Sequence, residues 1–414
     1  MTRAQTTEGR REARAGALGR VYERLSRVTS SGDFIAEVDG LRFLAIAPVV
    51  VFHVRNYLLA HPVADYSVAP PDLDWAARLA GRGHYGVELF FVISGFVLAL
   101  PFARHHLEGA PRVELRRYFL RRLTRLEPPY VLVMLGCFAL LVLLKGGAAE
   151  LWPRLAAGLT YTHGMIYGGM NPVNLVTWSL EVEVQFYLLM PLLAAVFAVR
   201  GRLRRRALIV SAAAASVALQ AWLIPEGGRL SWTLLNFLQY FFAGFLLADI
   251  YLGWPRGRVR RRVAWDFVAV AAVAAMLLVA ARPGLARAAF APLVFVLFCA
   301  AFRGPLTNRL VTRPWVTVIG GMCYTIYLIH FQLLSAFEKT LGRVSLTDLF
   351  SVNLLVHALL FAPVLLAGSA AFFLLVEKPC MRRDWPRRVR GRLAAALARR
   401  KPVPEPAYGR GLAE

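Results

Sequence analysis

Long apolar runs, each about the length of a membrane-spanning helix, recur along this 414-residue chain. A helix that crosses the hydrocarbon core of a bilayer needs about 20 mostly apolar residues. Ten segments meet this requirement, and they predict an all-α, polytopic integral membrane protein with about ten transmembrane helices. The segments are 41–59, 85–102, 128–145, 178–199, 206–224, 232–252, 265–281, 286–302, 316–337 and 352–376.

The basic residues between these runs alternate in density. Of the 49 Lys and Arg, 38 lie in the alternate segments that include both termini, and 9 lie in the opposite loops. Because loops on the cytoplasmic side carry the excess of basic residues, both termini are predicted to be cytoplasmic. We expect a basic cytoplasmic segment at 1–40, a ten-helix membrane domain at 41–376 and a basic cytoplasmic tail at 377–414.

Composition argues against several other classes of protein. With 57% hydrophobic residues, the chain is too apolar for an ordinary soluble domain. The net charge of +24 sits in short clusters between apolar runs rather than on one face, so no nucleic-acid partner is expected. The four cysteines lack metal-ligand spacing, so we expect neither a metal nor a disulfide framework. The first 33 residues lack an apolar stretch, so we expect no cleaved signal peptide.

The first apolar run carries Arg42, His53 and Arg55, which hydrocarbon should exclude. Eleven helical steps return to within about 20° of the start, ~16 Å further along the axis, so Arg42 and His53 share one face. Ionisable residues at membrane depth are usually functional, although an arginine can reach the headgroups and a histidine can be a satisfied core residue. The shared face favours function for this pair. Arg55 faces elsewhere and is expected to be an outer-interface anchor.

A cytoplasmic stretch before the third run, RRYFLRRLTR, carries five arginines at helical spacing. A helix there would present a strongly basic face. Guanidinium groups bind phosphate through paired hydrogen bonds, so Arg122 and Arg125 are candidates for a ligand phosphate or an anionic headgroup. The same residues also satisfy the positive-inside rule, and composition leaves both interpretations open.

Further ionisable residues lie in the fourth and ninth runs. Glu181 and Glu183 are about 200° apart on a helix, so at most one can comfortably face the bundle centre. A buried carboxylate at this depth could orient and stabilise the imidazolium of His53. Trp178 is expected to be an outer-interface anchor. His330 is either a structural histidine bonded to a backbone carbonyl or a functional one.

Two other features are expected to be structural. Ser94 and Gly95 form a small pair of the kind that lets helices pack closely, and ISGF is not a nucleophile elbow. The longest outer loop, 146–177, mixes aromatic, Gly and Pro residues without a helical pattern. We expect a plain loop there rather than a re-entrant segment.

Six motifs, in this order, make the chain resemble the acyltransferase 3 family of integral-membrane O-acyltransferases. They are DGLRFLAIAPVVVFH (39–53), GVELFFVISGF (86–96), FLRRLTRLEPPY (119–130), WSLEVEVQFYLLMP (178–191), YTIYLIH (324–330) and VEKP (376–379). They cover essentially the whole membrane body. The fourth motif departs from the common family pattern WSLSVEEQFY, because Glu181 replaces a small residue and Val184 replaces a glutamate.

The resemblance implies a domain in the bacterial cytoplasmic membrane that moves an acyl group, commonly acetyl, from cytoplasmic acyl-CoA to a hydroxyl, often of a carbohydrate. It implies acyl-CoA as the donor substrate and no permanently bound cofactor. The functional residues of the family fall on Arg42, His53, Arg122, Arg125 and Glu183. Some relatives continue into an extracellular SGNH-type domain, and we expect none here.

These interpretations combine into one mechanism. Acyl-CoA would dock with its phosphates on Arg122 and Arg125, with Arg42 as a further candidate, and its thioester would reach His53. His53 would act as general base on the acceptor hydroxyl or carry the acyl group, while Glu183 stabilises the positive imidazole.

Two other functions stay open. Membrane-buried His, Glu and Arg also mark the paths of transporters and exporters of small anionic or glycosylated solutes, although no inverted repeat is visible. A non-catalytic scaffold for envelope polymer synthesis is the other alternative. The acceptor is open too: it is a sugar of an extracellular polymer or glycolipid, or a small glycosylated metabolite met on the cytoplasmic side.

Overall fold

The structure is a computed structural model, and its regular elements are helical throughout the described residues. Those residues are 16–27, 34–62, 74–225, 227–254, 260–341, 344–381 and Trp385. No strand is present among them, which confirms the all-α prediction. A helix satisfies its backbone hydrogen bonds internally, as a hydrocarbon environment requires.

Nine of the ten predicted spans overlap one apolar helix each, and the ninth span, 316–337, covers two helices, Pro314–Gly321 and Cys323–Leu341. The described helices are α1 (Ala17–Leu25), α2 (Ala36–Ala60), α3 (Trp75–Gly81), α4 (Gly86–Glu108), α5 (Leu115–Lys145), α6 (Ala148–Leu159), α7 (His163–Tyr167), α8 (Trp178–Leu193), α9 (Arg202–Leu223), α10 (Leu238–Leu252), α11 (Ala264–Val279), α12 (Pro283–Arg303), α13 (Pro305–Val311), α14 (Pro314–Gly321), α15 (Cys323–Leu341), α16 (Phe350–Phe372) and α17 (Lys378–Cys380). One π-helical turn, Phe373–Glu377, joins α16 to α17.

Length and composition allow six of the described helical segments to cross a membrane, or up to eight if each of two bent pairs counts as one span. The pairs are Ala288–Arg303 with Pro305–Val311, bent by 92°, and Pro314–Gly321 with Cys323–Thr340, bent by 71°. The remaining two, α10 and α11, are apolar but shorter. The multi-pass helical class is confirmed, while the count of ten crossings and the cytoplasmic termini stay predictions.

The prediction of a plain loop over 146–177 is wrong in part, because α6 and α7 lie within it. Leu155 of α6 is completely buried in a cluster with Tyr130 and Met134 of α5. The Tyr130 hydroxyl donates a hydrogen bond to the Gly158 carbonyl over 2.8 Å. These tertiary contacts, which no local pattern reveals, hold the segment against α5.

Helices α4 and α10 pack together at a pair of glycines. A Cβ atom at Gly95 would lie 2.4 Å from the Phe241 carbonyl oxygen, and one at Gly244 would lie 2.4 Å from the Val92 carbonyl oxygen. Only glycine permits this approach of two backbones. Gly95 therefore makes the close helix contact that the sequence predicts for the Ser94–Gly95 pair.

We expect Gly95→Ala to lower the stability of the folded protein. The added methyl group would clash with backbone atoms of Phe241, which cannot shift without moving α10. Overpacking of this kind costs about 1–3 kcal/mol. Gly136→Ala is the matched control, since Gly136 lies inside α5 and a Cβ atom there meets nothing within 4 Å. Thermal unfolding of the two purified variants in detergent compares them, and equal midpoints would contradict the prediction.

Candidate functional site

All five residues that the sequence singles out line one cavity of about 1470 Å³. They are Arg42, His53, Arg122, Arg125 and Glu183. The first two come from α2, the next two from α5 and the last from α8. The structure thus brings together side chains from three helices, and it places Arg42 and His53 on one face of α2 as their spacing predicts.

The cavity extends along the helix axes. Three helices line it over most of their length: α2 from Arg42 to Ala60, α5 from Arg122 to Lys145, and α15 from Cys323 to Lys339. Nineteen helical residues rise about 28 Å, which is close to the thickness of the hydrocarbon core. One end of the cavity therefore carries arginines, and the other end carries two lysines.

Arg42 is held at the arginine end by Asp39, one turn earlier on α2. Its Nη1 donates to Asp39 Oδ1 over 2.7 Å, and Arg27 Nε donates to Asp39 Oδ2 over 2.9 Å. The Asp39 side chain is only 1% exposed. A carboxylate shared by two guanidinium groups orients Arg42 and leaves a net positive charge beside the cavity.

Arg122 and Arg125 stand about one turn apart on α5 in different surroundings. The Arg122 guanidinium lies over the rings of Tyr118 and Tyr187, with Cζ 5.8 and 5.5 Å from the ring centroids. Arg125 Nη2 lies 3.8 Å from Glu377 Oε1, and Arg125 Nε is buried without a hydrogen-bond partner among the described residues. A buried N–H without a partner is costly, which favours an anionic ligand at this end.

Glu377, which belongs to the VEKP motif but is not among the residues that the sequence singles out for the site, lies next to Arg125 just outside the cavity lining. It lies in the π-helical turn after α16, and such turns are frequent at functional sites. Its side chain is completely buried, and its Oε2 accepts a hydrogen bond from Thr325 Oγ1 over 2.6 Å. Its other oxygen, Oε1, lies 3.8 Å from Arg125 Nη2 and makes no hydrogen bond among the described residues, so the two side chains interact through charge.

His53 lies at mid-length of the cavity among aromatic rings. Its ring centroid is 5.0 Å from that of His330, 5.1 Å from that of Phe52 and 5.5 Å from that of Phe331. In the described part of the chain, no hydrogen bond or ion pair involves the His53 imidazole. Its nitrogens are thus available to a substrate in the cavity.

No hydrogen bond joins Glu183 to His53 among the described residues, and the stabilisation of the His53 imidazolium by Glu183 stays a prediction. Glu183 Oε1 accepts a hydrogen bond from Ser94 Oγ. Ser94 also lines the cavity, in addition to standing at the close helix contact predicted for the Ser94–Gly95 pair. Helical periodicity fixes the face on which Glu183 lies, but it does not identify the neighbour across the helix interface.

Glu181 and Glu183 have different surroundings, as their spacing predicts. Glu181 is buried away from the cavity lining, and its Oε2 accepts a hydrogen bond from the Gly164 N–H over 2.8 Å. Trp178, predicted as an interface anchor, instead lines the cavity and packs edge-on against Trp232, with ring centroids 5.6 Å apart.

Arg55 lies outside the cavity lining, in agreement with the prediction that it faces away from His53. Its Nε donates to the Ala77 carbonyl over 2.9 Å, and its Nη1 donates to Asn56 Oδ1 over 2.8 Å. Arg55 therefore fastens α3 to α2. This bond gives it a partner inside the protein, while its place at the outer interface stays a prediction.

No arrangement of three or more His, Cys, Asp or Glu side chains able to hold a metal ion occurs among the residues that the structure describes. The ligand-binding groups of the cavity are instead guanidinium, imidazole, carboxylate and hydroxyl groups. These groups bind anions and move protons.

Known proteins resemble this chain over most of its membrane body. A family model described as an acyltransferase domain matches residues 35–374. The O-acetyltransferase OatA of Staphylococcus aureus (strain NCTC 8325 / PS 47) is 23% identical over 344 residues, which are 76% of this chain and 52% of that protein. The peptidoglycan O-acetyltransferase OatA of Listeria monocytogenes serovar 1/2a (strain ATCC BAA-679 / EGD-e) is 26% identical over 179 residues, 40% of this chain and 25% of that protein.

The chain thus spans about half or less of the length of the curated relatives it matches. No solved structure matches it.

Proposed function

Because the chain belongs to the acyltransferase 3 family, we propose that it transfers an acyl group, typically acetyl, from acyl-CoA to a hydroxyl group of a carbohydrate or glycosylated acceptor. One observation carries the proposal: a single cavity joins the arginine end to His53 and continues to the lysine end of the same helices. Such a cavity lets a donor and an acceptor reach one histidine from opposite sides of a bilayer.

The donor is proposed to bind at the arginine end. Arg122, Arg125 and Arg42 all line the cavity there, and guanidinium groups suit the phosphates of CoA. Arg125 Nε has a buried N–H that the described residues leave without a partner, as expected of a group that waits for an anion. The flexible pantetheine arm would then carry the thioester along α2 toward His53.

The acceptor is proposed to enter from the lysine end. Trp178, Trp232 and Asn236 line the cavity on that side, close to the turns that lead into α8 and α10. Flat aromatic faces with a nearby amide suit a sugar ring, which has apolar C–H faces and hydrogen-bonding edges. Both relatives described above are O-acetyltransferases by name, and one acts on peptidoglycan by name, which supports an acetyl group and a glycan.

We place the protein in the bacterial cytoplasmic membrane, with the arginine end facing the cytoplasm. The apolar helices and the bacterial relatives support this location, and the excess of basic residues in alternate segments supports the orientation. Acyl-CoA is made in the cytoplasm, so this orientation supplies the donor to the correct end of the cavity.

A transporter is the second candidate, because a cavity along three helices also fits a solute path. Proteoliposomes containing the purified protein discriminate between the two functions. With labelled acetyl-CoA on one side and soluble peptidoglycan fragments as acceptor probes on the other, we expect mass spectrometry to show probes that gain one acetyl group only when protein and donor are both present. Movement of unmodified probe across the bilayer without acyl-CoA would support the transporter and contradict the proposal.

A further inference from the structure

His330 is held in one orientation by its own helix. Its Nδ1 lies 2.9 Å from the Ile326 carbonyl oxygen and 2.9 Å from the Tyr327 carbonyl oxygen. A carbonyl oxygen can only accept, so Nδ1 must carry a proton. In neutral imidazole this leaves the lone pair on Nε2.

The Nε2 atom of His330 is buried and has no hydrogen-bond partner among the described residues. His330 lines the cavity, and its ring centroid lies 5.0 Å from that of His53. A bare acceptor atom in a buried site is costly unless a ligand satisfies it. A fully buried histidine therefore carries an unpartnered basic nitrogen next to His53, where the acyl group is proposed to change hands.

We propose that the two histidines divide the reaction, with His53 as the acyl carrier and His330 Nε2 as the general base that takes the proton of the acceptor hydroxyl. This inference rests on the proposed function. It assigns the roles that the sequence leaves open for His53, because a histidine that carries the acyl group cannot also deprotonate the acceptor.

The chemistry balances in two steps. In the first, a His53 nitrogen attacks the thioester carbonyl, the C–S bond breaks, and CoA leaves as the thiolate, which takes a proton from water. In the second, the acceptor oxygen attacks the acyl carbon, its proton passes to His330 Nε2, and the C–N bond breaks to restore neutral His53. His330 then releases its proton to water in the cavity.

Other groups near His53 are less suited to the role of base. Glu183 already accepts a hydrogen bond from Ser94, and Phe52 and Phe331 have no basic atom. The carbonyl anchors also hold the His330 ring in a fixed rotamer, so its lone pair is oriented before substrate arrives. Preorganisation of this kind is what general-base catalysis needs.

The test is His330→Asn, because an asparagine amide can keep the hydrogen bond that Nδ1 makes to the backbone while removing the base at Nε2. We expect acylation of the soluble peptidoglycan fragments, the saccharide probe, to fall by about 10²–10⁴-fold. We also expect labelled acyl-CoA to leave an acyl group on His53, detected by rapid quenching and peptide mass spectrometry, since the second step is blocked. The label should be absent from the His53→Ala/His330→Asn double variant.

His105→Asn is the matched control. Its Nδ1 also lies against a backbone carbonyl, that of Ala110 at 2.7 Å, but His105 does not line the cavity. Rates are compared per folded protein after size-exclusion chromatography, and His330→Gln, which also lacks the base, gives a second measurement.

Transfer within threefold of wild type by either folded His330 variant would overturn the proposal, and so would a lost transfer without any acyl label on His53. The label on His53 needs no acceptor, so its appearance in His330→Asn supports His53 as the acyl carrier even where the wild-type protein leaves the peptidoglycan fragments unmodified, and a longer-lived label in His330→Asn than in wild type once an acceptor is added supports His330 as the base. A wild-type protein that leaves the saccharide probe unmodified would count against the proposed function alone.

Discussion

Acylation of the saccharide probe is expected to fall by about 10³-fold or more in His53→Ala, because alanine can neither accept the acyl group nor move a proton. His53 lies at mid-length of the cavity. No hydrogen bond to its imidazole occurs in the described part of the chain, so no bonded partner is in place to substitute for it. Binding of acyl-CoA is expected to persist, since Arg42, which marks the arginine end, lies about 16 Å from His53 along α2, and Arg122 and Arg125 are on another helix.

The measurement is transfer of labelled acetyl from acetyl-CoA by correctly folded variants in proteoliposomes. Arg55→Gln is the matched control on the same helix, because Arg55 lies outside the cavity lining and bonds to Ala77. Its turnover should stay within a few-fold of wild type. Near-wild-type turnover by His53→Ala would remove His53 from the chemistry.

The helical architecture is predictable from the sequence because one physical requirement dominates it. A helix needs about 20 apolar residues to cross the hydrocarbon core, and such runs can be recognised in the local sequence. Every predicted run accordingly overlaps helical structure, although the ninth run covers two helices. The 92° bend at Gly304 is signalled by the sequence, because Arg303, Gly304 and Pro305 end the eighth run. The 71° bend at Met322 lies instead inside the ninth run, where apolar residues continue on both sides.

The site is predictable in its faces and less so in its contacts. The spacing of Arg42 and His53 locates both on one wall because helical rotation is regular. Glu183 bonds to Ser94, 89 positions away in the chain, and such a neighbour depends on how α4 and α8 pack. The partnership of Glu377 with Arg125 depends on a π-helical turn, which shifts the register of the side chains.

The backbone hydrogen bonding of His330 can be predicted from the local sequence. A histidine four residues after Ile326 and three after Tyr327 can bond to both of their carbonyls, so the spacing itself permits the structural interpretation that the sequence leaves open. The structure adds the nearby His53 ring and the bare Nε2 atom. Those two facts turn a structural anchor into a candidate base.

Loss of the two cavity arginines is expected to act on the donor rather than on the chemistry. Arg122→Gln/Arg125→Gln removes two guanidinium groups that would bind CoA phosphates, and hydrogen bonds to charged groups contribute about 1.5–3 kcal/mol each. The KM for acyl-CoA should rise by about 10²-fold or more, while kcat at saturating donor should change little. The defect should also shrink at high salt, because salt screens the wild-type contacts.

The matched control is Arg116→Gln/Arg117→Gln, which removes the same charge from the same helix. Both arginines are exposed outside the cavity lining, and Arg117 pairs with Glu114 over 2.8 Å at the surface. Exposed pairs contribute little, so the KM should stay near that of wild type. If instead both double variants raise KM equally, general attraction of the donor to a basic surface explains the effect. The assignment of Arg122 and Arg125 as phosphate ligands would then be wrong. Arginines that contact a bound phosphate affect KM more than arginines that only contribute charge to the surface.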